Sequence, residues 1–434
     1  MKKILFLLSP LVWVLAGCPA ITEQVTDEGR YASQGWVPED RSYSPNIRTA
    51  QLYRPPFEAS YPILYLGQTQ QLTLEFDEII PEDQRETDFF IDFISCDINW
   101  RPTNIVPLEF YEGFSQQRIE DFQRSTFTKV PYVHYRHSFP AEGQGFKQSG
   151  NYLLKVYRNG NPRDVVLTRR FIVVETKVPI VSKYELNARV ERMRMQEFAF
   201  DLMTGGLNIF NPALDLQVRV LQNFRWDNAY SPPQPRFVGE NQFEYRIELN
   251  QAFNGGNEFR QHQVFSTRFY AESIQEVEEG ENQWEVFLFP DPVLASNEFR
   301  SIGDRNGTFS VQVQEWPDAD INADYVNNHF TLKAKGPSAD PVYIFGGLSN
   351  WQVLPDFRME YDQGLQAYTG SVLLKQGIYD YSYVVARPDG SLDETAIEGD
   401  HIDTENFYNI LVYYRGPADR TDRIWGYMPL NYQE

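Results

Sequence analysis

Two stretches of the sequence hold residue types that could bind a metal ion. His134 and His137 lie in YVHYRHSFP, and residues 318–324 read Asp-Ala-Asp-Ile-Asn-Ala-Asp. The first stretch has the Tyr, Val and Phe content of a strand, where residues three apart face opposite sides and cannot share one ion. The second has the oxygen spacing of a calcium loop, but Ala323 replaces its glycine and His329 its bidentate glutamate. We therefore expect no metal site, and an acidic turn at 318–324.

Catalytic motifs are missing from the sequence. It contains no GxSxG, HExxH, Walker loop or GxGxxG, and its five histidines offer few building blocks for a catalytic triad. The acidic stretch ESIQEVEEGENQWE (272–285) is more typical of a solvated hairpin than of paired catalytic carboxylates. We expect a protein that is not an enzyme, with no catalytic residues and no cofactor.

The charge balance argues against a nucleic-acid partner. The 60 acidic and 39 basic residues give a formal net charge of −21, which repels nucleic acid and anionic lipid surfaces. Such acidity favours solubility, and recognition of a specific basic partner is the alternative.

The N-terminus has the pattern of a secretory signal peptide. Lys2 and Lys3 precede an apolar run at 4–16, which is too short to cross a bilayer as a helix. The run ends in Leu-Ala-Gly-Cys, which resembles a bacterial lipobox, and a chance cleavage site is the alternative. We expect cleavage after residue 17 and attachment of lipid to Cys18. The second cysteine, Cys96, then has no partner and is expected to be a small buried hydrophobic residue.

Composition and periodicity predict an all-β protein. Aromatic residues make up 15% of the 434 residues, beside 27 Gly and 27 Pro, which is typical of short strands joined by many turns. In QLTLEF (71–76), Leu72, Leu74 and Phe76 alternate with polar residues, which predicts a half-buried strand. Asn159-Gly160 predicts a hairpin turn between two apolar runs.

The predicted organisation is three tandem immunoglobulin-like β-sandwich domains. The chain length favours about three domains, because a single core rarely grows so large. The predicted segments are a signal peptide (1–17), a tether (18–58), domain 1 (59–177), domain 2 (178–336), domain 3 (337–418) and a C-terminal tail (419–434).

The third predicted domain resembles a known sugar-binding module. VYIFGGLSNW followed by LKQGIYDYSYVV is similar to the glycogen-binding-like early-set immunoglobulin sandwich, in which a tryptophan and a later ring stack on sugars. Trp351 matches the tryptophan, but the later loop ARPDGSLDETAIEGD carries no aromatic residue. Sugar stacking on Trp351 is therefore disfavoured, and we expect this side chain to pack on its own sandwich. A carbohydrate-binding outer-membrane lipoprotein remains the alternative function.

Eight segments spread over the chain resemble one family of gliding and secreting Bacteroidetes, the plug proteins of the type IX secretion system. The segments are CDINW (96–100), FYEGFSQQRIEDFQRSTFT (110–128), YVHYRHSFP (132–140), SGNYLLKVYRNG (149–160), VLQNFRWDNA (220–229), NGGNEFR (254–260), LLKQGIYDYSYV (373–384) and EGDHIDTENFYNILVYYRG (398–416).

The resemblance implies a periplasmic protein that binds the outer-membrane β-barrel translocon and closes its periplasmic opening. Lipid on Cys18 would hold it at the inner leaflet of the outer membrane. Two loops rich in rings and polar groups are candidates either for contact with the partner or for locking turns of the protein itself. Their residues are Phe224, Arg225 and Trp226 in the first loop, and Asn257, Glu258 and Arg260 in the second.

Overall fold

The computed structural model describes residues 35–183, 195–207, 209, 211–232, 234–247 and 253–432. Strands make up 46% of it and helices 5%, so the all-β prediction is confirmed. Among the described residues, no helix has both the length and the apolar character needed to cross a membrane. Cys18 and the predicted signal peptide lie outside the described residues.

Domain 1 is a sandwich of two sheets. One sheet has the order β1-β12-β11-β5-β7, with β3 added in parallel beside β12, and the other has the order β2-β4-β9-β8. The strands are β1 (Arg41–Ser42), β2 (Ile47–Tyr53), β3 (Ile63–Tyr65), β4 (Leu72–Ile79), β5 (Phe89–Cys96), β6 (Tyr111–Glu112), β7 (Gln117–Arg118), β8 (Asp121–Arg124), β9 (Tyr132–Phe139), β10 (Gly145–Phe146), β11 (Gly150–Arg158) and β12 (Val165–Val174).

The inner faces of both sheets form an aromatic core. Phe76 stacks on Tyr135, with 5.2 Å between ring centroids, and Phe93 lies against Phe171. The predicted hairpin is confirmed, because β11 and β12 pair antiparallel. Asn159 and Gly160 both have positive φ values, 52° and 68°, at the start of the turn.

The predicted tether is wrong for its described part. Trp36 is buried, β1 pairs with β12, and β2 pairs with β4. The described residues from 36 onward therefore belong to domain 1. The apolar residues of β2 lie between short polar stretches, which is why the sequence suggested a tether.

The strand predicted in QLTLEF is present as β4, but it is not half-buried. Its polar residues Thr73, Glu75 and Asp77 are buried as well, with 3%, 4% and 1% of their surface exposed. A second domain covers the polar face, and the alternation in the sequence does not reveal that cover.

Domain 2 is a sandwich whose second sheet is completed by the end of the chain. Its sheets have the orders β13-β15-β18-β17 and β16-β30-β31, beside a β14-β19 pair. The strands are β13 (Ile180–Lys183), β14 (Met195–Gln196), β15 (Phe198–Met203), β16 (Leu216–Gln222), β17 (Phe237–Val238), β18 (Gln242–Ile247) and β19 (Phe253–Asn254), with β30 (Phe407–Tyr414) and β31 (Arg423–Asn431).

Domain 3 is inserted between β19 and β30. Its strands form one ten-stranded sheet with the path β20-β28-β25-β26-β27-β24-β22-β21, and both β23 and β29 pair with β28. They are β20 (Arg260–Val264), β21 (Ile274–Glu279), β22 (Trp284–Leu288), β23 (Phe309–Val311), β24 (Tyr325–Lys333), β25 (Val342–Phe345), β26 (Arg358–Asp362), β27 (Ala367–Lys375), β28 (Gly377–Ala386) and β29 (Leu392–Asp393).

The predicted boundaries at 336 and 418 therefore do not match the cores. One core joins Val264 to Ile397, across the boundary at 336. Another joins Phe200 in domain 2 to Ile410 near the C-terminus. The segment predicted as a tail holds β31, which pairs with β30. The three domains are thus not in tandem, because two C-terminal strands return to close domain 2.

Helices are short and lie in the connections. The α-helices are α1 (Pro107–Phe110), α2 (Pro212–Asp215), α3 (Ala319–Asn322) and α4 (Thr395–Glu398), and the 3₁₀ turns are Gly347–Ser349 and Pro355–Phe357. Of these, α3 and α4 carry residues that join domains.

Candidate functional site

The loop at 222–228, which we call the junction loop, touches all three domains. Phe224 stacks on Tyr61 of domain 1, with ring centroids 4.4 Å apart. Trp226 meets Trp100 of domain 1 edge to face at 4.8 Å. Arg225, which lies between Phe224 and Trp226 in the sequence, points in the other direction, into domain 3. Asn223 and Phe224 have positive φ values, 53° and 55°, a conformation that L residues seldom adopt. This tight backbone turn sends successive side chains to different domains.

Arg225 is the ionic centre of the junction. Its guanidinium donates to both carboxylate oxygens of Glu394, at 2.6 and 2.8 Å, and to Asp227 at 2.6 Å. Burial opposes the charged form, but the attraction of the Glu394 and Asp227 carboxylates outweighs it and raises the pKa of Arg225. A bidentate pair of this kind, with a buried guanidinium, fixes direction as well as distance. Arg225 thereby attaches domain 2 to the residue that precedes α4 of domain 3.

Trp351 packs inside the same junction. Its ring lies 5.5 Å from that of Phe345, and the Arg225 guanidinium lies over it at 4.4 Å from the centroid. A Cβ at Gly307 would come within 2.2 Å of the indole, so only glycine leaves room there. A sugar could stack on the face that Arg225 covers only after displacing Arg225 from Glu394 and Asp227.

The second predicted loop, residues 254–260, connects β19 of domain 2 to β20 of domain 3. Asn257 donates to the backbone carbonyl of Glu398 at 2.8 Å. Arg260 donates to the Glu398 carboxylate at 2.9 Å and to Asp291 at 3.1 Å. These contacts fit the turn-locking alternative for the two loops. Their contact with a partner stays a prediction.

Glu258 of this loop is a buried carboxyl with another acid beside it. Burial, then repulsion from Asp304, raises the pKa of Glu258 to about 7. The pKa of Asp304 is also raised, first by burial. Glu258 therefore titrates near neutrality.

Domains 1 and 2 meet in what we call the apolar interface. From domain 1 it takes Leu153, Ile172 and Cys96, and from domain 2 it takes Leu221, Leu411, Tyr413 and Ile424, all buried in one cluster. Cys96 is a free buried thiol, as expected, and burial raises its pKa, so it is a poor nucleophile.

Domains 1 and 3 meet in what we call the polar interface, and sequence reasoning missed it. It joins Glu75, Asp77, His134 and Arg136 on β4 and β9 to Asp320, Tyr325 and Lys375 of domain 3. Lys375 donates to Asp77 at 2.6 Å, with 1% of each side chain exposed. Tyr325 donates to the same Asp77 oxygen at 2.8 Å. The residues are too far apart in sequence for any local pattern to connect them.

The segment 318–324 docks domain 3 onto domain 1. Asp318 caps α3 through the amide of Asp320, and Asp324 accepts from the backbone amides of Lys129 and Val130 at 2.7 and 3.1 Å. The tyrosine hydroxyl of Tyr132 donates to the Ala323 carbonyl at 2.8 Å. The expected acidic turn is present, and its oxygens are used for interdomain contacts.

His134 and His137 face opposite sides of β9, as predicted. His134 binds Asp77 through Nδ1 at 2.8 Å, and His137 binds Gln117 through Nε2 at 2.8 Å. Among the described residues, one group of side chains has metal-ligating atoms close together, and it includes His134 with Glu75 and Asp320.

Residues 47–175 match the family model described as "Type 9 secretion system plug protein 1st domain". These residues are therefore a first domain of the type 9 secretion system plug family. The predicted resemblance is thereby confirmed. The plug family belongs to a secretion system and is not a known enzyme family.

The match begins at β2, inside the segment that the sequence had suggested as a tether. It ends at Glu175, where β12 has just closed the first sheet of domain 1. The family domain and the sandwich of domain 1 therefore coincide closely.

A solved structure resembles almost the whole chain. It is a hypothetical protein from Parabacteroides merdae, 29% identical, with a TM-score of 0.85, and the alignment covers 91% of this chain and 99% of that one. The pilin subunit BcpA of Bacillus cereus (11% identity, 49% of this chain and 55% of that chain) reaches a TM-score of only 0.16 and carries no argument. No curated protein matches the chain.

Proposed function

We propose that this protein binds the outer-membrane translocon of the type IX secretion system and closes its periplasmic opening when no cargo is passing. The observation that carries the proposal is the match of residues 47–175 to the plug family. The protein would act by occupying space and would catalyse no reaction.

The contacts among the domains support a rigid body. Domain 1 holds domain 2 through the apolar interface and domain 3 through the Asp77–Lys375 pair, while Arg225 joins domain 2 to domain 3. Within the described residues, each domain is therefore attached to both of the others, and none is held through a single contact surface. A body that resists bending suits the closure of a wide pore.

The proposed location is the periplasmic face of the outer membrane. Cleavage before Cys18 and lipid attachment to its thiol would tether the folded body by the segment that precedes Trp36. A tethered plug has a high effective concentration at a barrel in the same membrane. Replacing Cys18 by Ala should release the protein into the soluble periplasm, and the intact mass of the mature protein reports whether the lipid is attached.

The test is a deletion strain that still produces the translocon at normal levels. We expect export of cargo to continue while the outer membrane becomes permeable to large hydrophilic molecules, which vancomycin sensitivity reports. Affinity purification of the tagged full chain in mild detergent should recover the barrel. Unchanged sensitivity in the deletion strain would count against plugging, and loss of export would indicate a motor or assembly factor.

A further inference from the structure

We propose that Glu75, His134 and Asp320 form a binding site for a divalent transition-metal ion, best fitted to Zn²⁺, that bridges domains 1 and 3. Each of the three side chains offers one ligand atom, and these atoms lie within 4.8 Å of one another. Glu75 lies on β4, His134 on β9 and Asp320 in α3. The proposed metal site is not required for closing the translocon, so it can be tested independently of the proposed function.

An unpartnered ring nitrogen is the observation that points to a ligand. His134 is 92% buried, since 8% of its surface is exposed. Its Nε2 is buried and has no hydrogen-bond partner. A buried nitrogen without a partner costs free energy unless something binds it.

Asp77 determines which nitrogen is free. Its carboxylate pairs with the Lys375 ammonium at 2.6 Å and accepts from the Tyr325 hydroxyl at 2.8 Å, so Asp77 acts as a hydrogen-bond acceptor. The Nδ1 of His134 must then donate to it, at 2.8 Å, and in the neutral ring Nε2 keeps its lone pair. Histidines that bind metal ions commonly donate their other ring nitrogen to a carboxylate, and this hydrogen bond orients the ring.

The set of donor atoms selects the kind of ion. One imidazole nitrogen and two carboxylates, with water in the fourth position, form a coordination set that Zn²⁺ accepts. Calcium takes about six to eight oxygen ligands and does not favour imidazole. The proposed site therefore differs from the incomplete calcium loop at 318–324, although Asp320 belongs to both.

Arg136 is the cation that pairs with the carboxylates of Glu75 and Asp320 in this structure. It donates to Glu75 at 2.5 Å and to Asp320 at 2.6 Å, and 43% of its side chain is exposed. Zinc bonds of about 2.0–2.2 Å require the three ligand atoms to move closer together, and Arg136 to turn toward solvent. Arg136 is thus a competitor, and its removal should tighten metal binding.

The experiment uses the tag-free mature chain after chelation, titrated with Zn²⁺ by calorimetry and with Co²⁺ by visible absorption. We expect one equivalent to bind and the unfolding temperature to rise with Zn²⁺, by mass action on the folded state. His134→Ala should weaken binding by more than about tenfold, because loss of a residue that only hydrogen-bonds to a metal ligand already weakens binding by that much. His137→Ala is the matched control, because His137 lies on the same strand and faces the other way.

A second variant keeps the test decisive if His134→Ala unfolds. Arg136→Gln should bind Zn²⁺ more tightly than the unmodified chain, and Ca²⁺ should have no effect on either. The proposal is overturned if the unmodified chain binds no Zn²⁺, if His137→Ala loses as much affinity as His134→Ala, or if Arg136→Gln binds no better. None of these results bears on vancomycin sensitivity, so failure of the site leaves plugging unaffected.

Discussion

Domain 1 is covered on both outer faces, but by two chemically opposite interfaces. Toward domain 2, β11 and β12 present Leu153 and Ile172 to Leu411, within an apolar cluster. Toward domain 3, β4 and β9 present Asp77 and Arg136 to charged and hydroxyl groups. The first interface is stabilised by removal of apolar surface from water, which needs no exact geometry. The second depends on hydrogen-bond geometry, because a buried charge without its partner is costly.

The two interfaces should respond differently to pH. Burial alone would raise the folded-state pKa of Asp77, but the charges and hydrogen bonds of Lys375 and His134 together outweigh burial and lower this pKa. Its contribution to stability is therefore present above about pH 4, the pKa of an aspartate in the unfolded chain, and is lost as pH falls through the folded-state value. The apolar cluster contains no carboxyl group. Asp422 accepts from the Ile98 amide across the same domain boundary, but burial raises its pKa, so its contribution is not lost on acidification. Acidification should loosen domain 3 from domain 1 before it separates domain 2.

The largest effect is expected from Lys375→Met. The substitution leaves Asp77 charged and buried without its main partner, so the free energy of unfolding should fall by about 3–5 kcal/mol. Urea denaturation of the tag-free chain measures it. Lys333→Met, on the exposed face of the neighbouring strand β24, is the matched control and should change stability little.

The double variant Asp77→Asn/Lys375→Met separates charge from packing. With both charges removed, the double variant should recover a large part of the stability lost in Lys375→Met. If the double variant is as unstable as the sum of both single variants, the loss comes from packing and not from an unpaired charge.

A slightly smaller effect is expected when the apolar interface is cut. Leu411→Ala removes a fully buried side chain and should cost about 2–5 kcal/mol through lost burial and the cavity left behind. The loss should be the same at low and high salt and between pH 5 and pH 8, in contrast to the polar interface. Leu365→Ala, where 64% of the residue is exposed, should change stability by less than about 0.5 kcal/mol. A salt-dependent loss in Leu411→Ala would contradict the distinction.

Glu258→Gln should stabilise the protein at alkaline pH. Because burial and then Asp304 raise the folded-state pKa of Glu258 to about 7, the folded chain holds this proton where the unfolded chain releases it. Stability from this site is therefore complete below about pH 4.5 and is lost as pH rises through 7. The glutamine variant, which stays neutral, should gain about 1 kcal/mol at pH 8 after allowance for solvent screening. Unfolding curves at pH 5 and pH 8 test it, and an equal change at both values would contradict it.

The difference between the interfaces also explains which features could be predicted from the sequence. The runs NYLLKVY and FIVVE are apolar at successive positions, which indicates a strand buried on both faces. They form β11 and β12, whose second face meets domain 2. The polar alternation of β4 is instead the pattern of a strand with one face in water, and nothing nearby signals that Lys375 covers it.

The domain boundaries failed for a related reason. Strand β16 pairs with β30, from Leu216 opposite Tyr414 to Gln222 opposite Tyr408. Pairing over such a separation leaves no local signal, since both strands would alternate in the same way with nearer partners. The candidate loops were correctly located as special positions, because Arg225 and Asn257 do hold domains together. Their role could not be predicted from the sequence, because it depends on the positions of Glu394 and Glu398 in the fold.

The smallest effect is expected from Asp88→Asn, and it isolates the contribution of burial. Arg118 and Asp88 approach to 2.5 Å, as close as Lys375 and Asp77, but 50% and 54% of their side chains are exposed. Water already stabilises both charges, so the variant should lose at most about 1 kcal/mol, and less in high salt. Urea denaturation beside Lys375→Met measures both pairs on one scale. If Asp88→Asn costs as much as Lys375→Met, distance and not burial sets the strength of these pairs, and the polar interface has no special role in holding domain 3 to domain 1.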